Sequence, residues 1–156
     1  MFYYDVAWDC DDITHIFTDA SNAEFGVICN SEWFQIAYQG KYRSMFGKSI
    51  NWRELYAALV ALATWVKSLA RKPVVFHIDN TTVGCILNKL YTPVKELKHF
   101  TIEWCLLIEQ FNISVAVVYI DTNSNVNADD LSRLNTLAFL ERNPGANHFM
   151  TWPALD

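Results

Sequence analysis

Paired cysteines, a bilayer-length apolar run and a basic opening segment are all missing from this chain of 156 residues. The four cysteines, Cys10, Cys29, Cys85 and Cys105, are widely separated and form no C-x-x-C or Cys/His ligand spacing. Neither a zinc site nor a redox pair is signalled, and a reducing, intracellular setting is expected. Apolar runs stop well short of the roughly 18 to 20 residues that a membrane-spanning helix needs. The opening MFYYDVAWDCDD carries no Lys or Arg, so a secretory signal is not expected and a soluble protein without membrane partners is. Basic residues are scarce as well: 12 Lys and Arg stand against 17 Asp and Glu, a formal charge of −5. Strong unaided binding to nucleic acid is disfavoured by that balance, because phosphate contacts come from a basic surface. No internal repeat or low-complexity tract interrupts the chain.

What the chain does hold is apolar and aromatic. Hydrophobic residues make up 52% of it, with six Trp, seven Tyr and ten Phe, enough for the core of one domain without cross-links. Charge is unevenly spread. Asp5, Asp9, Asp11 and Asp12 crowd an acidic lead-in over residues 1–12, whereas Lys41 to Lys98 holds ten basic residues against Glu54, Asp79 and Glu96. That middle segment could face a phosphate backbone.

Hydrophobic periodicity sets out the elements. ITHIFTD reads as a β-branched and aromatic strand ending at Asp19, ASNAEFG as a turn or bulge, and VICNSEWFQIAYQG as two strands about a polar turn at Asn30 and Ser31. The polar stretch from Gly40 to Ser49 reads as a loop. WRELYAALVALATWVKSLA has apolar residues at three- and four-residue spacing behind Asn51 as a cap. VVFHI is a buried-strand run closing at Asp79, TTVGCILNKL a short helix capped by Asn80 or Thr81, and Pro93 opens a further helix to Phe111. ISVAVVYI is the last strand, DTNSNVN a loop, and ADDLSRLNTLAFL the last helix. Residues 13–142 then form the domain in the order βββαβααβα, and 143–156 reads as a tail.

Within this order four carboxylates stand out: Asp19 in IFTDAS, Glu54 in NWRELYA, Asp79 in VVFHIDN and Asp129 in NVNADDLSR. Each alone is an ordinary strand-end or helix-start acid. Three of them sit where strands or helices would bring them to one end of a sheet, and the fourth, Asp129, opens a late helix. Converging carboxylates raise one another's pKa or demand a cation, and hard oxygen ligands suit Mg²⁺ or Mn²⁺.

The acids and their phrases resemble the RNase H domain of reverse-transcribing elements over about residues 13 to 134. Thr18 to Ser21 reads T-D-A-S, Glu54 begins E-L-Y-A, and Asp79 is followed by Asn80. Asn125, Ala128, Asp129, Leu131, Ser132 and Arg133 match the N-x-x-A-D-x-L-S-R phrase, which looks like gypsy-type and DIRS-type retrotransposon polyproteins. INWRELYA and HIDNTTVGCILNK lean the same way. The resemblance implies an α/β RNase H-like fold: a central mixed five-stranded sheet, three strands antiparallel and two parallel, flanked by helices. It further implies an endoribonuclease that cleaves the RNA strand of RNA/DNA hybrids by two-metal phosphodiester hydrolysis, tethered to or associated with a reverse transcriptase polymerase domain. Two Mg²⁺ (or Mn²⁺) ions would be held by Asp19, bridging, with Glu54 and Asp79 on one and Asp129 on the other. Such ions, about 3.5–4 Å apart, activate a water and stabilise the leaving oxygen. Ser21, Asn22, Glu24 and Asn80 are candidate contacts to the substrate, whose ribose 2′-hydroxyl distinguishes RNA from DNA.

Two positions depart from or complicate that pattern. Asp130 follows the aligned acid and is assigned no metal, while Tyr119 stands ten residues before Asp129, where cellular and retroviral enzymes carry a mobile histidine. A phenol with a pKa near about 10 is a poor proton shuttle at neutral pH. His15 and His77 read as strand residues rather than ligands. Two other readings stand beside the nuclease: a catalytically inactive RNase H-like protein-interaction module, and a DNA-acting nuclease of the same superfamily.

Overall fold

Three strands open the chain because its β-branched and aromatic residues alternate between two faces. In the computed structural model, which describes residues 12–149, β1 spans Thr14–Ala20, β2 Glu24–Cys29 and β3 Glu32–Ala37. They form an antiparallel meander, with Asn30 in the left-handed region (φ 56°) tightening the β2–β3 turn. β2 starts inside the segment expected to be a turn. Asp5, Asp9, Asp11 and Cys10 of the acidic lead-in, and the tail beyond Phe149, lie outside the described residues.

The strand-helix-strand unit follows. α1 runs Ile50–Leu69, and its N-cap is Ser49, not Asn51: the Ser49 side chain accepts from the Trp52 amide at 3.2 Å. Before it, Gly40–Gly47 is a 3-10 helix rather than a loop. β4, Pro73–Ile78, lies parallel to β1, and β5, Ser114–Tyr119, parallel to β4. Between them come α2, Thr81–Lys89, capped by Asn80, and α3, Lys98–Phe111, entered through a 3-10 turn at Lys95–Leu97. The segment after Pro93 therefore becomes α-helical only at Lys98.

The expected last helix is two. α4, Val126–Ser132, and α5, Thr136–Arg142, are separated by Leu134 in the left-handed region (φ 64°). A short sixth strand, β6, Asn147–His148, pairs parallel to β3, giving the order β5-β4-β1-β2-β3-β6. The sheet thus has six strands against the five expected. Two residues are too few to carry a period, and the Asn147 and Phe149 amides find the Ser31 and Trp33 carbonyls at 2.7 Å each only once the edge of β3 is in place.

The pleat decides which helix covers which face. Ile16, Phe25, Val27, Phe76 and Ile78 point into one core with the buried face of α1 and with Trp104 of α3. On β2, Gly26 lies between Phe25 and Val27 and so faces the other way, where Leu131 of α4 packs with Trp33 and Phe139. Helices therefore cover both faces, and the open end of β1 is flanked by α1 on one side and α4 on the other.

Candidate active site

β1 and β4 are parallel, so both deliver their C-terminal residues to the same end of the sheet. Asp19 is the penultimate residue of β1, and Asp79 directly follows β4. Glu54 lies near the start of α1, which packs across β1. Asp19, Glu54 and Asp79 each present an oxygen within 4.8 Å of the others. Asp129, on α4, lines the same open cleft of about 410 Å³, together with Asn80, Thr122 and Arg133. All four acids predicted from the sequence share one cleft, but the tight cluster holds three of them.

Each acid is held differently. Asp19 is 5% exposed, and its Oδ2 accepts from the Ser132 hydroxyl at 2.8 Å. Glu54 is 3% exposed; its Oε1 accepts from the Ala20 amide at 3.3 Å, and its Oε2 is buried without a partner among the described residues. Asp79 Oδ2 accepts from the Thr122 hydroxyl at 3.1 Å. Asp129 Oδ1 is ion-paired with Arg133 Nε at 2.8 Å, one helical turn on.

Packing carboxylates together in a half-dry cleft shifts their titration. Burial first, and the Asp79 charge next, push Asp19 up to about 7, with Asp129 adding to the rise and the Ser132 hydroxyl opposing it. Glu54 stands well above the ordinary carboxylate range through burial, then the charges of Asp19 and Asp79. A cation among these oxygens would reverse that logic. Clustered hard donors and an unsatisfied buried carboxylate oxygen suit a divalent cation such as Mg²⁺.

The candidate substrate residues divide. Asn80 stands in the cleft wall, its Nδ2 donating to Asn51 Oδ1 at 2.8 Å and its Oδ1 accepting from the Val83 amide at 3.1 Å. Asn22 is exposed in the turn after β1, with its Oδ1 accepting from Arg53 at 3.0 Å. Ser21 shapes that turn, accepting from the Ala23 amide at 3.1 Å and donating to the Ser132 carbonyl. Glu24 is not placed for substrate contact. It is 1% exposed and accepts from the Leu134 amide at 2.9 Å, tying the α4–α5 junction to β2.

Three residues that touch the acids received no role from the sequence: Ser132, buried behind the cleft, and Arg133, which were only letters of a phrase, and Thr122. The signal for Ser132 and Arg133 was their three- and four-residue spacing from Asp129 on one helix. Thr122 comes from a loop and had none. Tyr119 is 60% exposed at the end of β5, paired in register with Ile78. His15 and His77 face each other on neighbouring strands, Nδ1 to Nε2 at 2.9 Å, and His77 stacks on Phe17 at 4.3 Å between ring centroids.

No protein-family model matches the chain, and comparison with curated proteins found no match. Solved structures are. RNase H1 from the halophilic archaeon Halobacterium salinarum is 17% identical with a TM-score of 0.60, covering 81% of this chain and 98% of its own. LC11-RNase H1 in complex with an RNA/DNA hybrid is 16% identical with a TM-score of 0.59, covering 76% and 91%. The N-terminal RNase H domain of a Mycobacterium tuberculosis protein is 14% identical with a TM-score of 0.62, covering 83% and 97%. At these identities the likeness establishes the fold, a mixed sheet flanked by helices as in RNase H.

Proposed function

We propose that this chain is a metal-dependent endoribonuclease that cleaves the RNA strand of RNA/DNA hybrids, as the RNase H domain of a retrotransposon reverse transcriptase or a protein domesticated from one. The observation that carries the reading is the convergence of Asp19, Glu54 and Asp79 within 4.8 Å at the end of the sheet. Its substrate class draws support from a solved structure of the same fold in complex with an RNA/DNA hybrid. The link to reverse transcription, and with it an attached polymerase domain, rests on the N-V-N-A-D-D-L-S-R phrase.

Asp19, Glu54, Asp79 and Asp129 would hold two Mg²⁺ or Mn²⁺ ions. Bound there, such ions supply a water-derived nucleophile at neutral pH and charge stabilisation at the leaving 3′-oxygen. The chain's own residues do the positioning. Thr122 orients Asp79 through a hydroxyl hydrogen bond, and the Ala20 amide orients Glu54. Asn22 and Asn80 offer amides to the substrate's sugar-phosphate backbone and 2′-hydroxyl, with Ser21 setting the turn that carries Asn22. The cleft contributes one guanidinium, Arg133, so with a net charge of −5 the domain would draw much of its hybrid affinity from the attached polymerase.

Incubation of the chain with a labelled hybrid, duplex DNA and duplex RNA, with Mg²⁺ or with EDTA, tests this. Metal-dependent cleavage of the RNA strand of the hybrid is expected. Cleavage of duplex DNA in preference to hybrid would move the assignment to a DNA-acting nuclease, and absence of both cleavage and metal binding would make the domain an inactive interaction module.

A further inference from the structure

The last turn of α4 presents Ser132, which is fully buried (0% exposed) yet belongs to no hydrophobic cluster. Its hydroxyl stands 2.8 Å from Asp19 Oδ2 and also 2.8 Å from the Asp129 carbonyl oxygen. A serine hydroxyl has one proton, so it donates to one of these acceptors at a time. The backbone carbonyl is neutral, whereas an ionised Asp19 is an anion, and a hydrogen bond to a charged acceptor is roughly twice as strong. The Asp19 carboxylate is therefore the stronger of the two acceptors.

We propose that Ser132 is a positioning residue for Asp19, holding its carboxylate in the orientation that receives a divalent cation. The inference rests on the nuclease reading given above and names a determinant of that same site. The Ser132 hydroxyl donates to Asp19 Oδ2. One lone pair of Oδ2 goes to the hydroxyl, and the carboxylate still offers an oxygen within 4.8 Å of those of Glu54 and Asp79. Because Ser132 sits three residues after Asp129 on one helix, it fastens the strand acid to the helix that carries the fourth acid. The Asn125 side-chain Nδ2, donating to the Thr18 carbonyl at 3.1 Å, ties the start of the same helix to the residue before Asp19. The helix is thus pinned to β1 at both ends, and only the Ser132 end reaches a metal-binding oxygen.

The test is calorimetric titration of Mn²⁺ into the whole chain and into Ser132→Ala, with hybrid cleavage measured in parallel at saturating metal. Loss of a hydrogen bond behind a metal ligand typically costs 10- to 100-fold in metal affinity. An apparent Kd for Mn²⁺ raised about tenfold or more, with the hybrid KM within about twofold of wild type, is expected. Ser132→Cys, close in size and a weak donor, is expected to show the same loss and replaces Ala should that variant not fold. Mn²⁺ binding unchanged in both variants would overturn the role of Ser132. A parent chain that binds Mn²⁺ but cleaves no hybrid would overturn the nuclease reading while the Ser132 comparison still stands; a parent chain that binds no Mn²⁺ would overturn both.

Discussion

Gly26 lies so close to Leu131 that a Cβ on the glycine would stand 2.3 Å from the leucine Cβ and 3.2 Å from the Ala128 carbonyl oxygen. Gly26 is paired in register with Asp19. The missing side chain is therefore what lets α4, with Asp129 and Ser132, lie against the strands at the end that carries the acids. Gly26→Ala is expected to cost about 1–3 kcal/mol, as overpacking in a close-packed interior does. It should also lower cleavage more than the stability loss explains, because α4 has to move off. Urea unfolding and hybrid cleavage of the same preparation check this.

In a metal-dependent nuclease built on this cleft, Asp19 and Asp79 would carry the chemistry, and the corresponding amides are poor metal ligands. Asp19→Asn and Asp79→Asn should each reduce Mg²⁺-dependent cleavage at least 100-fold, of the order seen when a transition-state stabilising group is lost, while far-UV circular dichroism stays as in the parent. Activity equal to wild type in either variant would remove the assignment.

Stability of the metal-free protein should depend on pH through Asp19. Its pKa is raised from 3.8 to about 7 on folding, so between those values the folded state binds more protons than the unfolded state. The contribution is fully present below about 4 and lost as pH rises through about 7. In EDTA, Asp19→Asn is expected to flatten this decline and to be more stable than wild type at pH 8. Adding Mg²⁺ at pH 8 should raise the melting temperature of wild type and leave that of the variant nearly unchanged, as binding linkage requires. Melting curves from pH 4 to pH 8 provide the measurement.

His77 gives the opposite gradient. Burial, and then the neighbouring His15, lower its pKa from 6.5 to about 4, so the unfolded state takes up the proton first. Stability from this group is present above about 6.5 and lost as pH falls toward about 4. His77→Gln should remove that acid-side loss. The Asp19 and His77 slopes oppose each other in wild type, so the two variants separate them, and a His77→Gln curve identical in shape to wild type would sink the assignment.

Asn88 seals an open strand edge. Its Oδ1 accepts from the Val117 amide at 3.1 Å and its Nδ2 donates to the Val117 carbonyl at 2.7 Å, on β5 at the end of the sheet. Asn88→Ala removes both bonds and is expected to cost about 1–3 kcal/mol. The freed edge should also increase self-association. Denaturant unfolding and light scattering at raised concentration report the two effects.

Local pattern was enough to read a large part of this protein. α1 was legible because its apolar residues repeat at helical spacing, and the strands at Asp19 and Asp79 because β-branched and aromatic runs end in an acid. Chain order then put those acids at one end of a parallel pair. Where a contact of long sequence separation decided the outcome, pattern failed. Glu24 looked like a polar residue beside the site, and its burial depends on the Leu134 amide, 110 residues away. The break between α4 and α5 depends on Leu134 taking a left-handed conformation (φ 64°) that leucine's own propensity disfavours. β6 exists only as a partner for the edge of β3.

The same division runs through the site. The sequence by itself determined which carboxylates are present and which element ends carry them, because side-chain period and capping are local properties of the chain. Only the tertiary structure decided that Asp19, Glu54 and Asp79 meet within 4.8 Å, that Glu24 turns inward, and that Ser132 and Thr122 hold the acids. Those facts follow from how α1 and α4 pack on opposite faces of one strand end, where burial and mutual charge act on groups far apart in the chain.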